Sequence, residues 1–453
     1  MAIGRSMTEG APWKHIIRFT LPVFFGLVLQ QLYNTADAII VGNFCGESSL
    51  AAVGTTATFT FLFLALAVGF SAGNGVVVAQ AYGANNQEEV RANASTGILL
   101  LLGMGIVCTV IGISISRQAF EHFVGVPSEI LELTLKYFNI CMLGMVFQFG
   151  YNIFSSILRA IGDSAATLYF LLITSIVNVL LDLLFVAYFK WDVAGAAWAT
   201  NISQAISFVA AYIYMSKRYP VFCFKLKDYT WNKSLAWLTI KMGSPIAMQL
   251  VIVSVGLTFI QRAVNSFGKA MTASFTVGQR MELFLNLPFH AFQTTLATYS
   301  GQNIGAGKLD RVKQGMKQAL AMSLASTILI SISVCYFNQE IIKIFGLSEQ
   351  SAIYCKDHIN TIAFTNLLLS IYVPVFGVFQ GANHTAFPTL VATCALSTRV
   401  IFTYLFKDNP DYFGYSIIWW NNLFGFSVGA MITWIYYFSG RWQKNSRIVI
   451  DKP

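Results

Sequence analysis

Apolar residues run along the chain in blocks of about twenty, separated by short polar turns, and the blocks recur over almost its whole length. At 1.5 Å per residue, about twenty helical residues cross about 30 Å of hydrocarbon. The pattern predicts helical spans at residues 16–41, 50–72, 95–116, 131–155, 165–189, 193–215, 236–262, 270–297, 315–337, 356–379, 386–406 and 413–438. The first block carries Asp37, lacks a small-residue cleavage site and is too long for the core of a signal peptide, so it is expected to remain as a helix. The longest connection, around Lys217–Leu235, is too short to build a soluble domain, so any chemistry must take place among the spans.

Composition supports a lipid-embedded chain. Of 453 residues 56% are hydrophobic and 11% charged, where soluble domains carry about 25% charged residues, and mean hydropathy is +0.61. With the N-terminus inside, roughly 19 of the 29 Lys and Arg residues fall in cytoplasmic loops and tails, which predicts that both termini are cytoplasmic. The net charge of +9 flanks the spans instead of forming a stripe interleaved with aromatics. Anionic lipid headgroups therefore fit it better than nucleic acid. The aromatics, 15% of the chain, are expected largely to face lipid or form interfacial belts such as Trp419 and Trp420. The seven cysteines are scattered singly, without CxxC or a histidine at ligand spacing, and read as small apolar packing residues.

The chain also repeats itself. AQAYGANNQEEVRANAS from Ala79 aligns with GQNIGAGKLDRVKQGMK from Gly301, placing Gln80 over Gln302, Gly83 over Gly305 and Val90 over Val312 at an offset of about 222 residues. Pro22 falls over Pro245, and ILRAIGDSAATL from Ile157 falls over VFQGANHTAFPTL from Val378. Six spans per half is an even number, so the second half re-enters the membrane with the same orientation as the first. The expected architecture is all-α: twelve transmembrane helices in two parallel-repeat six-helix bundles, residues 1–215 and 236–453, joined by a basic cytoplasmic linker at 216–235. Two such bundles enclose a cleft, and rocking one against the other gives alternating access.

Three acidic residues lie inside spans: Asp37, Asp182 and Glu282. A charge at mid-bilayer costs roughly 2.5–3.5 kcal/mol on insertion scales, and residues that bear it usually face a cavity and carry function. Asp37 lies in the outer third of the first span; Asn178 and Asp182 share a face of the fifth at i and i+4; Thr200 lies at similar depth in the sixth. Two carboxylates, an amide and a hydroxyl at one level form a hard-oxygen site for Na⁺, or a coupled carboxylate pair that holds a proton. Taken alone, Asn178 and Thr200 are better explained by polar contacts between helices. Tyr33 and Gln30 continue the Asp37 face, and Pro22, about four turns below, removes a backbone hydrogen bond and permits a bend. Glu282 suits either an inter-helix ion pair with Arg280 or Arg262, or a substrate contact; Arg399 is equally open. Enzyme motifs such as HExxH and GxSxG are absent, and GQNIGAGKLD places Leu309 where a phosphate loop needs Ser or Thr.

LPVFFGLVLQQLYNTADAIIVG at Leu21–Gly42, AQAYGANNQEEVR at Ala79–Arg91, LRAIGDSAATL at Leu158–Leu168 and NVLLDLLF at Asn178–Phe185 resemble the multidrug and toxic compound extrusion (MATE) family over nearly the whole chain. Within it they look closest to the bacterial DinF-like branch. The resemblance implies a V-shaped twelve-helix fold in the bacterial inner membrane. It also implies an antiporter exporting small cationic or amphipathic organic compounds in exchange for Na⁺ or H⁺; a monomer without cofactors is expected. It assigns the cation site to Asp37, Asn178, Asp182 and Thr200, and RMELFLNLPFHAF at Arg280 implies that Glu282 joins a site in the second half. A lipid-linked oligosaccharide flippase is the alternative; it would want a cleft rich in basic residues, for which only Arg262, Arg280 and Arg399 are at hand.

Overall fold

The computed structural model describes residues 4–409, 411–444 and 446–447. In chain order its helices are α1 (Pro12–Cys45), α2 (Glu47–Gly83), α3 (Gln87–Gln118), α4 (Ser128–Leu143), α5 (Met145–Ala160), α6 (Ser164–Asp182), α7 (Asp192–Arg218), α8 (Lys233–Asn265), α9 (Lys269–Gly305), α10 (Leu309–Tyr336), α11 (Asn338–Ile344), α12 (Glu349–Gly381), α13 (Ala386–Phe406) and α14 (Ile417–Phe438). Among the described residues eight helices are each long and apolar enough to cross a membrane, and α4 with α5, bent by 44°, makes a ninth. With α7, α9 and α14, of 27, 37 and 22 residues, they form the twelve spans of an all-α membrane fold. Rows of large apolar side chains stay exposed, such as Ile106 and Val110 on α3 and Leu329 and Ile332 on α10, as lipid-facing surfaces require.

The helices outrun the apolar blocks. The stretches at 79–95 and 301–317, expected as turns between spans, are helical except for Ala84–Asn86 and Ala306–Lys308. Hydropathy marks the crossing of hydrocarbon, whereas the helix end is set by capping. Asn86 caps α3 by accepting from the Glu89 amide at 3.1 Å.

Two compact units emerge, Met1–Ser6 with Leu21–Ala247, and Met7–Thr20 with Met248–Pro453. The division therefore falls within α1 and α8, beside Pro22 and Pro245, and not in the 216–235 stretch. That stretch is packed down on the first unit: Phe222 is fully buried, Arg91 donates to the carbonyls of Val221 and Cys223, and Ser95 Oγ donates to the Thr230 carbonyl. In the same unit α2 meets the first half of α8 through small residues. A Cβ on Gly73 would come 2.5 Å from the backbone nitrogen of Gly243, so this crossing admits only glycine.

In the second unit, Met7–Gly10 is strapped to α9 and α10. The Met7 amide donates to Gln302 Oε1 at 2.9 Å, Asn303 Nδ2 donates to the Met7 carbonyl, and Arg311 donates to the carbonyls of Gly10 and Met7.

The repeat is also visible in paired details. In the first unit Asp163 caps α6 and accepts from the hydroxyls of Tyr214 at 2.8 Å and Tyr219 at 2.6 Å. At the equivalent place in the second, the Tyr436 hydroxyl donates to His384 Nδ1 at 2.9 Å, while His384 Nε2 donates to the Lys444 carbonyl.

Candidate functional site

Near one end of the first unit, α1, α4, α6 and α7 bring polar side chains together. Asp37 stands eight residues before the end of α1, Asp182 closes α6, and Thr200 lies eight residues into α7, so the three share a level of the bundle. Immediately after Asp182 the chain widens into a π-helical turn, Leu183–Tyr188, which swings the carboxylate relative to the helix that follows. The carboxyl groups of Asp37 and Asp182 face each other within hydrogen-bond reach. As two carboxylates neither can donate, and Oδ1 of Asp37 with both oxygens of Asp182 are buried without a donor. Asn178, one turn back from Asp182 and fully buried, donates from Nδ2 to Thr200 Oγ1 at 3.4 Å, leaving its own Oδ1 without a donor. Tyr33 meets Thr200 and feels both carboxylates.

The four residues grouped by depth are thus brought together, with Tyr33. Four buried acceptor oxygens without a donor make a set that a proton shared between carboxyls, or a hard monovalent cation, completes. Each acceptor left unmet costs about 1–3 kcal/mol, a cost the fold gathers at this level of the bundle. Gln30 is exposed and is not drawn into the cluster.

Tyr137 and Cys141 join from α4, at i and i+4, and were not expected. Their helix ends two residues later, at Leu143, and Gly144 follows. There a Cβ would collide with Asn201 Oδ1, and Asn201 Nδ2 donates to the Ile140 carbonyl at 2.5 Å. Asn201 follows Thr200 directly, so the break that aims α4 at the cluster is held by the helix that supplies the hydroxyl.

The second unit departs from expectation. Arg262 and Arg280 are exposed and neither pairs with Glu282; the charge that Glu282 feels is Arg399. Trp419 is not interfacial. It is 1% exposed and stacks on His358 with ring centroids 4.6 Å apart, because the amides of the WWNN stretch are held inside, where Asn421 accepts from Arg399 Nε at 2.9 Å.

The MatE family model matches the chain twice, over residues 22–184 and 245–405. The chain belongs to the MATE family. The two matches start 223 positions apart, at Pro22 and Pro245, so each half is a copy of the MATE unit. The probable multidrug resistance protein YpnP of Bacillus subtilis (strain 168) is 26% identical over 96% of this chain and 97% of its own length. The probable multidrug resistance protein NorM of Thermotoga maritima is 23% identical over 97% of this chain and 95% of its own. The crystal structure of MATE in complex with MaL6 superposes with a TM-score of 0.91 at 22% identity, covering 98% of this chain and 99% of that one. This MATE protein is accordingly a multi-pass membrane transporter with the twelve-helix fold of its solved relatives.

Proposed function

We propose that this MATE protein exports cationic or amphipathic organic compounds from the bacterial cytoplasm by alternating access, driven by inward movement of Na⁺ or H⁺. The observation that carries the coupling is the Asp37–Asp182 carboxyl pair, buried with Asn178 and Thr200 and short of donors. Exchange requires a site that is better satisfied with its ion than without it, and four oxygens lacking donors supply that difference. Substrate export is supported by the relatives, which are named as multidrug resistance and multidrug export proteins. In this reading the inner membrane holds the protein as a monomer with both termini in the cytoplasm, and no cofactor is needed beyond the coupling ion. Pro22, whose ring leaves the Arg18 carbonyl without its helical donor, gives α1 a place to bend as Asp37 changes state. Of the three arginines a flippase would use, Arg399 is buried and Arg262 and Arg280 are exposed, and three such residues are few for the basic lining which that alternative needs.

The test is ethidium efflux in inverted vesicles under imposed gradients. Uptake into the vesicles driven by an outward Na⁺ or H⁺ gradient, and abolished when both gradients are collapsed, is expected. Uptake indifferent to both would remove the coupling role of the carboxyl pair.

A further inference from the structure

The carboxyl pair stops short of the end of its bundle, and what lies beyond it is layered. One turn past three of the site residues stands an apolar one: Val41 after Asp37 on α1, Val186 after Asp182 in the π-helical turn, and Ala196 before Thr200 on α7. Val41 and Ala196 are 0% exposed and Val186 2%, and the three pack as one cluster. They make a dry collar over the pair.

One further turn out the chain becomes polar again. Cys45 closes α1 four residues after Val41, and Asp192 opens α7 four residues before Ala196. Asp192 is half-buried, and its Oδ1 accepts from Ser49 Oγ on α2 at 2.6 Å. Cys45 lies within hydrogen-bond reach of the same carboxylate and also feels Asp37 and Asp182. With the helical register, this sets Asp192 across the collar from the pair, about 12 Å along the axis. Lys190, two residues before it, forms no ion pair with it among the described residues, so the carboxylate is not neutralised.

An acid in the first turn of a helix also suits the helix dipole, and Ser49 gives Asp192 a structural tie. The far end of the route asks for more. Asp182 is 0% exposed with both oxygens lacking a donor, and an ion that completes them while moving inward arrives from the side of Asp192. A charge at the mouth of such a route raises the local concentration of cations and repels anions. We propose that Asp192 is the outer capture residue for the coupling cation, gathering it before it crosses the Val41–Val186–Ala196 collar to the carboxyl pair. The proposal rests on the coupling reading and names the residue by which the ion enters.

Cys45 is a built-in reporter of the mouth. In right-side-out vesicles holding the full chain with Cys45 as its only cysteine, two methanethiosulfonates of similar size are applied from outside, one a trimethylammonium and one a sulfonate. With rates normalised to a small thiol in solution, the cationic reagent is expected to react about fourfold faster, as one unit charge acting across about 5 Å of water supplies. Asp192→Asn keeps an oxygen for Ser49 and removes only the charge, so the ratio should fall toward one; Asp192→Glu should retain it. In inverted vesicles the same Asn variant should raise the half-saturating lumenal concentration of the driving cation about fourfold, with the saturating rate changed less. A ratio near one with Asp192 in place, a Cys45 unreactive from outside, a ratio that survives Asp192→Asn, or an unmoved half-saturation each overturns the proposal. If the Asn variant does not fold, the Cys45-only protein and Asp192→Glu decide. Gradient-driven ethidium uptake with a ratio of one sinks the capture role alone, and a fourfold ratio without such uptake sinks the coupling reading alone.

Discussion

Replacing Asp182 by Asn should uncouple transport and stabilise the protein at the same time. The two carboxyl groups face each other and three of their oxygens are buried without a donor. An asparagine in place of Asp182 would keep the volume, remove one charge and offer an NH₂ group to Asp37. A hydrogen bond to a charged acceptor contributes about 1.5–3 kcal/mol, and about 1–3 kcal/mol of unmet acceptor cost is relieved beside it, so the net gain should reach about 2 kcal/mol. At about 2 °C per kcal/mol, the low end for large domains, the unfolding midpoint should rise by about 4 °C. Wherever the unaltered pair shares a proton it supplies its own donor, and the advantage should shrink. The assay pairs thermal unfolding of the purified variant with gradient-driven ethidium efflux in vesicles, where a loss of at least a hundredfold is expected. Wild-type efflux would sink the carboxylate-pair mechanism. Lost efflux with a lowered midpoint would mean that Asp182 supports the fold and that the loss says nothing about coupling. Asp37→Asn should lose efflux in the same way while inserting normally into the membrane.

Pro22→Ala should slow exchange more than it weakens substrate binding, because the proline supplies a bend and not a contact; equal falls in transport rate in proteoliposomes and in equilibrium affinity would make it part of the site. A lone cysteine introduced as Asp228→Cys, with all seven native cysteines removed, should react with an impermeant thiol reagent only from the cytoplasmic side, and labelling of intact cells from outside would overturn the topology. Burial, and then the bond to Asp163, raise the Tyr219 phenol above its ordinary 10.0. A raised acid is a contribution present below pH 10 and lost as pH climbs toward the folded value, so the protein should lose stability above pH 10. Tyr219→Phe should flatten that decline, and an unchanged alkaline limb in thermal scans would refute the assignment.

The residues legible in the sequence were those with an insertion cost. Asp37 and Asp182 are expensive in hydrocarbon, so their presence alone marks a site, and Asn178 and Thr200 follow from helical spacing and depth. Tyr137 and Cys141 carry no such cost and look like packing residues; tracing the fourth span from its outer end would have put them at the level of Asp37. Glu282 was visible and its partner was not, because Arg399 lies more than a hundred residues away and the nearer arginines turn outward. Trp419 was misplaced by analogy with interfacial belts, since nothing local reveals that Asn421 is anchored inside. The break at Gly144 depends on Asn201, a tertiary contact that hydropathy along the fourth span does not register.

The strap at Met7–Gly10 bears on how the chain is made. The partners of these residues, Gln302, Asn303 and Arg311, are synthesised almost three hundred residues later. At about 5–20 residues per second the wait is on the order of 15–60 s. Over that interval the first unit can close once Ala247 has emerged, while Met7–Gly10 stays without its native contacts until α10 begins. The Met7–Gly10 strap is thus made long before the surfaces it closes on, and a substitution within it acts on the closing step of assembly.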